Sequence, residues 1–167
     1  MENLGDWQFK SHPLLDLSGT IQSPAADMNG DGLFDVVGLV SQDSEEVHLL
    51  QGSQLAHFRD RVLYGSTNKD YGSSGLTIAD VNRDGRPDIV YTNGDGFDYA
   101  TPGLRPWHGV QWLENAGQGK FVFHRVGDLP GAFSPVVADI DGDGNNDIVA
   151  CSDFNDWKNP EAVSLMC

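Results

Sequence analysis

Three stretches of the chain place oxygen-bearing side chains at positions 1, 3, 5 and 9 of a nine-residue segment, with glycine at position 6. They are Asp27, Asn29, Asp31 and Asp35; Asp80, Asn82, Asp84 and Asp88; and Asp139, Asp141, Asp143 and Asp147. Carboxylate and amide oxygens are ligands for hard cations, and Ca²⁺ takes about six to eight of them at about 2.3–2.6 Å. A tight turn can aim alternate side chains at one centre, and Gly32, Gly85 and Gly144 permit such a turn. The main-chain carbonyl of position 7, from Leu33, Arg86 or Asn145, is the natural additional oxygen. The pattern predicts three Ca²⁺ sites.

Other calcium loops do not fit. An EF-hand needs glutamate at position 12, between helices, where this chain has Gly38, Tyr91 and Ala150 in strand-like sequence. A dockerin-like pair also needs helices and a shorter period, and calcium β-helices repeat far more quickly. Asp, Asn and Gly also make good turns with no ion. Three copies that keep every odd-position oxygen favour the metal.

The segments are the centre of a longer repeat. ADMNGDGLFDVV from Ala26, ADVNRDGRPDIV from Ala79 and ADIDGDGNNDIV from Ala138 recur at periods of 53 and 59 residues, the length of a supersecondary unit. Val47–Gly52 aligns with Val110–Asn115 and with Val163–Cys167, each an alternating run. Phe9–His12, Leu55–Phe58 and Phe121–His124 form a further set, carrying His12, His57 and His124. No segment sustains a 3.6-residue apolar period, so the chain reads as all-β, with four short antiparallel strands per repeat. The repeats run over about 1–51, 52–113 and 114–167. Four-stranded units of this size suit propeller blades, of which a closed ring needs about four to eight. Three repeats predict a single propeller segment that is completed by a second copy or by the remainder of a longer propeller.

Composition limits the partners. Twenty-five acidic against 10 basic residues give a net charge of −15, a surface that repels phosphate backbones and argues against nucleic acid. Three bound Ca²⁺ would bring the charge to −9. No apolar run is long enough to span a membrane. Cys151 and Cys167 have no zinc or redox spacing.

The Asp-x-Asp/Asn-x-Asp-Gly-x-x-Asp phrase and the Trp112-Leu113-Glu114-Asn115 strand resemble the FG-GAP or VCBS repeat, the blade unit of integrin α-subunit propellers and of many bacterial secreted proteins. The resemblance covers nearly the whole chain, although the phenylalanine-glycine element is poorly kept. It implies a β-propeller with calcium between the first two strands of each blade, and an extracellular or cell-surface setting. Loops at the opposite end differ between repeats and carry aromatic residues: Phe97, Tyr99, Trp107 and His108 in the second, Phe154 and Trp157 in the third. Such loops on a rigid scaffold suit a carbohydrate or protein ligand, and the same rings suit packing between blades. A propeller-type polysaccharide lyase is the competing expectation, with Arg105, His108 and Lys158 beside a uronate. Histidines on repeated strands favour a structural role, and no nucleophile motif is present.

Overall fold

The computed structural model describes residues 1–42, 44–54, 57–97, 99–153 and 158–167. Fourteen strands are formed: β1 (Glu2–Gly5), β2 (Gln8–Lys10), β3 (Thr20–Gln22), β4 (Ala25–Ala26), β5 (Asp35–Val40), β6 (Glu46–Gly52), β7 (Phe58–Gly65), β8 (Ser73–Ala79), β9 (Asp88–Asn93), β10 (Gly109–Gly117), β11 (Lys120–Asp128), β12 (Ala132–Ala138), β13 (Asp147–Ser152) and β14 (Leu165–Met166). Among the described residues there is no α-helix, and no helix long and apolar enough to cross a membrane.

All pairings are antiparallel. The first blade runs β3–β5–β6–β7, with β4 also on β5; the second runs β8–β9–β10–β11. The third has β12–β13–β14, and β1–β2 is a separate hairpin. Among the described residues the third sheet thus has three strands, and the blades form an incomplete propeller.

Strand alternation explains why the middle blade is the best buried. Successive side chains of β9 point to opposite faces. Ile89 and Tyr91 enter the cluster shared with Val37, Leu39, Val47 and Leu49 of the first blade, while Val90 enters a second cluster with Ala132 and Ala150 of the third. Every residue of β9 is buried, whereas only Ala150 of β13 is. The third sheet leaves Val136, Ile140, Val163 and Leu165 exposed.

The pairing corrects two alignments. Cys151 pairs with Leu165, as Thr92 pairs with Val110, so Leu165 rather than Val163 occupies the Val110 position. Phe58 pairs with Gly52 as Phe121 pairs with Asn115, so β7 lies three residues further on than an alignment of Leu55 with Phe121 implies. Leu55 itself lies outside the described residues. The N-terminal alignment keeps its register: Asn3 pairs with Phe9 as Asn115 pairs with Phe121. It also reproduces a hydrogen bond, between His12 Nε2 and Glu2 Oε2 at 2.8 Å and between His124 Nε2 and Glu114 Oε2 at 2.7 Å.

Candidate metal centres

Each acidic segment connects the first two strands of a blade and folds on itself by one hydrogen-bond scheme, repeated three times. The position 6 N–H donates to the position 1 carboxylate: Gly32 to Asp27 and Gly85 to Asp80, both at 2.8 Å, and Gly144 to Asp139 at 3.1 Å. The position 5 N–H donates to position 3: Asp31 to Asn29 (2.9 Å), Asp84 to Asn82 (3.2 Å) and Asp143 to Asp141 (3.0 Å). The position 7 N–H donates to position 5: Leu33 to Asp31 (2.8 Å), Arg86 to Asp84 (3.0 Å) and Asn145 to Asp143 (2.7 Å). The position 2 N–H donates to position 9: Met28 to Asp35 and Val81 to Asp88, both at 3.0 Å, and Ile140 to Asp147 at 2.9 Å.

This winding needs left-handed backbone at positions 4 and 6. Position 6 has φ of 83°, 85° and 94° in Gly32, Gly85 and Gly144, a region glycine enters without a Cβ penalty. Position 4 is left-handed as well, in Gly30 (76°), Arg83 (58°) and Gly142 (78°).

The position 9 aspartates anchor the hairpins to their sheets. Asp35 and Asp88 are fully buried, and their second oxygens accept N–H bonds from the third strand, from Gly52 at 2.8 Å and Asn115 at 2.7 Å. Burial pushes the Asp88 carboxyl above its ordinary value against the pull of the Asn115 and Val81 amides. At the exposed end the balance reverses. The Gly32 amide holds Asp27 below the usual carboxylate range, and the Asn145 amide and side chain do the same for Asp143.

The donor set suits a hard cation, since every side-chain donor at these positions is an oxygen. In the third hairpin, carboxylate oxygens of Asp139, Asp141 and Asp147 lie within 4.8 Å of one another; among the described residues this is the one acidic, His or Cys trio so placed. Position 5 is turned to local donors. Asn29 Nδ2 donates to Asp31 at 2.9 Å, Asn145 Nδ2 to Asp143 at 3.0 Å, and the Arg86 guanidinium to Asp84.

Neighbouring hairpins are joined by contacts that no motif announces. Asn115 Nδ2 donates to Met28 O at 2.8 Å, and Asn146 Nδ2 donates to Asp80 O at 2.7 Å. Arg83 Nη2 reaches from the second hairpin to Asn146 Oδ1 at 3.2 Å and Asp139 Oδ2 at 3.5 Å.

At the opposite end, three of the predicted ligand-contacting residues are tied to the chain itself. Tyr99 Oη donates to Asp70 O at 2.6 Å, Trp107 Nε1 donates to the same carbonyl at 2.8 Å, and His108 is 1% exposed. His108 Nδ1 accepts from Gly131 N–H at 3.3 Å, which assigns the remaining ring proton to Nε2, 3.2 Å from Tyr99 Oη. Burial, then the charges of Arg105 and Arg125, push His108 down to about 4. Arg105 lies 4.3 Å from the Tyr99 ring centre and donates to Thr101 O at 2.7 Å. Phe97 is exposed, as is Lys158, and Phe154 and Trp157 lie outside the described residues. His57 just precedes β7, and His124 stacks on Trp112 at 4.6 Å. Cys151 and Cys167 are free thiols.

Antiparallel blades that each carry an oxygen-lined hairpin between their first two strands define a repeat protein of the propeller-blade class. The chain belongs to the FG-GAP-like repeat family, whose pattern matches residues 27–91 and 92–150. No curated protein and no solved structure matches it.

Proposed function

We propose that this chain is a calcium-binding β-propeller module of an extracellular or cell-surface protein, recognising a carbohydrate or protein ligand through the loops opposite its hairpins. The observation that carries the metal reading is the hairpin fold itself. One winding is used three times, and in the third copy it brings three carboxylates within reach of a single ion. Ca²⁺ would be held by the side chains at positions 1, 3, 5 and 9 and by the carbonyl of Leu33, Arg86 or Asn145, three sites in all. The ion neutralises carboxylates that otherwise repel one another, and so sets the hairpin rather than performing chemistry.

The recognition reading is supported by a polar hollow of about 190 Å³ between the first and second blades, at the end away from the hairpins. Glu45, Lys69, Asp70, Asp95 and Tyr99 line it. Carboxylates beside an aromatic ring suit sugar hydroxyls and backbone amides alike.

Binding to the folded state alone stabilises by mass action. Ca²⁺ at 100 times its Kd would add about 3 kcal/mol per site, and excess chelator would remove it. Melting in Ca²⁺, Mg²⁺ and chelator tests the reading, and identical Tm values in all three would overturn it.

A further inference from the structure

Arg83 is out of place by the rule its own repeat sets. It occupies position 4 of its hairpin, where the backbone is left-handed and the other two copies have glycine. An L residue enters that region only at a cost in energy that glycine avoids. The side chain does not fold back on its own hairpin carboxylates. Its Nη2 crosses to the third hairpin, 3.5 Å from Asp139 Oδ2 and 3.2 Å from Asn146 Oδ1, and Nη1 stands 3.7 Å from where a Cβ on Gly144 would lie. Asn146 returns the contact by donating to Asp80 O at 2.7 Å. The guanidinium is therefore held against the metal-facing edge of the next hairpin.

Charge gives the contact a purpose. The first hairpin carries three carboxylates, Asp27, Asp31 and Asp35; the third carries four, because Asp141 stands where the other copies have asparagine. On charge alone the third site would hold a divalent cation most tightly. We infer that Arg83 is a built-in counter-cation for the third hairpin, an affinity-setting residue that offsets the extra carboxylate and opposes metal entry there. The inference rests on the calcium reading above. It also couples the two sites, since the backbone that wraps the second site presents the cation that guards the third.

The size of the effect follows from Coulomb's law. A unit charge about 6 Å from a divalent ion changes affinity about tenfold in dilute buffer and about threefold at physiological ionic strength. The test is a CaCl₂ titration of the whole chain and of Arg83→Gly, which installs the residue already found at this position in the other two hairpins. Amide NMR signals of Gly32, Gly85 and Gly144 supply one reporter per hairpin, because each N–H donates to its position 1 carboxylate. Arg83→Asn, uncharged and tolerant of left-handed backbone, serves as the second variant.

The expected result is a gain of about threefold to tenfold at the Gly144 reporter, shrinking as salt rises, with the Gly32 reporter unchanged. A change below twofold at Gly144 in both variants, or a gain confined to Gly85, would overturn the role of Arg83 and leave calcium binding standing. Wild-type protein whose three reporters ignore CaCl₂ would overturn the calcium reading, and the inference with it.

Discussion

The two ends of the blades are built on opposite principles. At the hairpin end, each acidic loop satisfies its amides with its own side chains, across two to seven residues, and four of these bonds recur in all three copies. At the other end a backbone bond repeats, from the Ser41, Gly94 and Asp153 N–H groups to the Gly19, Gly72 and Gly131 carbonyls, but the loops differ, and polar side chains are buried to join segments distant in the chain. Asn93, fully buried, donates to Tyr71 O at 3.1 Å and Trp107 O at 2.9 Å and accepts from Gln111 Nε2 at 2.8 Å. Glu45, 3% exposed, accepts from Ser73 N–H of the next blade at 2.9 Å. The hairpin end is wound mainly by its own side chains, with a few bonds between neighbouring hairpins. The other ties the blades together, and most of its polar groups are committed to holding the fold.

The contrast can be broken hardest at Asn93. Asn93→Ala removes three hydrogen bonds and strands the Tyr71 carbonyl and the Gln111 amide, while Trp107 O keeps its bond from Arg125 Nη1 at 3.1 Å, a loss of about 2–4 kcal/mol. Urea unfolding measures it, and a loss under about 1 kcal/mol would mean that this end does not tie the blades together.

Acid attacks the same end next. His108 is neutral in the fold, with its pKa pushed down to about 4, against about 6.5 in an unfolded chain. Protonation therefore favours unfolding. The contribution of His108 is complete above about pH 6.5 and falls away as pH drops to about 4, by about 3 kcal/mol in all. Comparing wild type with His108→Asn across that window isolates it from the carboxylates. Parallel pH profiles would contradict the assignment of a neutral, buried imidazole.

The smallest stability change belongs to the hairpin end. Asp143→Ala, on an exposed loop, is expected to shift unfolding in chelator by about 1 kcal/mol or less. Under the calcium reading it would remove one ion from the calorimetric stoichiometry and leave the sites at Asp31 and Asp84 filled. Simultaneous loss of all three ions would show that the hairpins are not locally self-sufficient.

The same contrast explains what could be read from the sequence. The hairpins were legible because their bonds are short-range and their glycines mark the left-handed positions directly. The position of β14 was not, because displacing a strand by two residues keeps every side chain on the same face, so Val163 and Leu165 satisfy the alternation equally well. The start of β7 was misplaced because residues 53–57 separate it from β6, whereas Gln118 and Gly119 alone separate β10 from β11. Asn93 and Gln111 carried no signal at all, and His108 read equally as a ligand contact and as packing between blades. A polar residue in a short strand or loop reads as solvent-facing until a neighbouring blade is seen to cover it. Arg83, standing where the other two copies have glycine, takes its meaning only from its reach to Asp139.

Asn115 and Asn146 each close a contact with the hairpin of the preceding blade, bonding to Met28 O across 87 residues and to Asp80 O across 66. Because synthesis runs from the N-terminus, and domains fold as they emerge, a nascent chain wraps each acidic loop early and completes its surroundings only when the following blade has left the ribosome. Assembly is therefore vectorial, and each newly made blade seals the one before it.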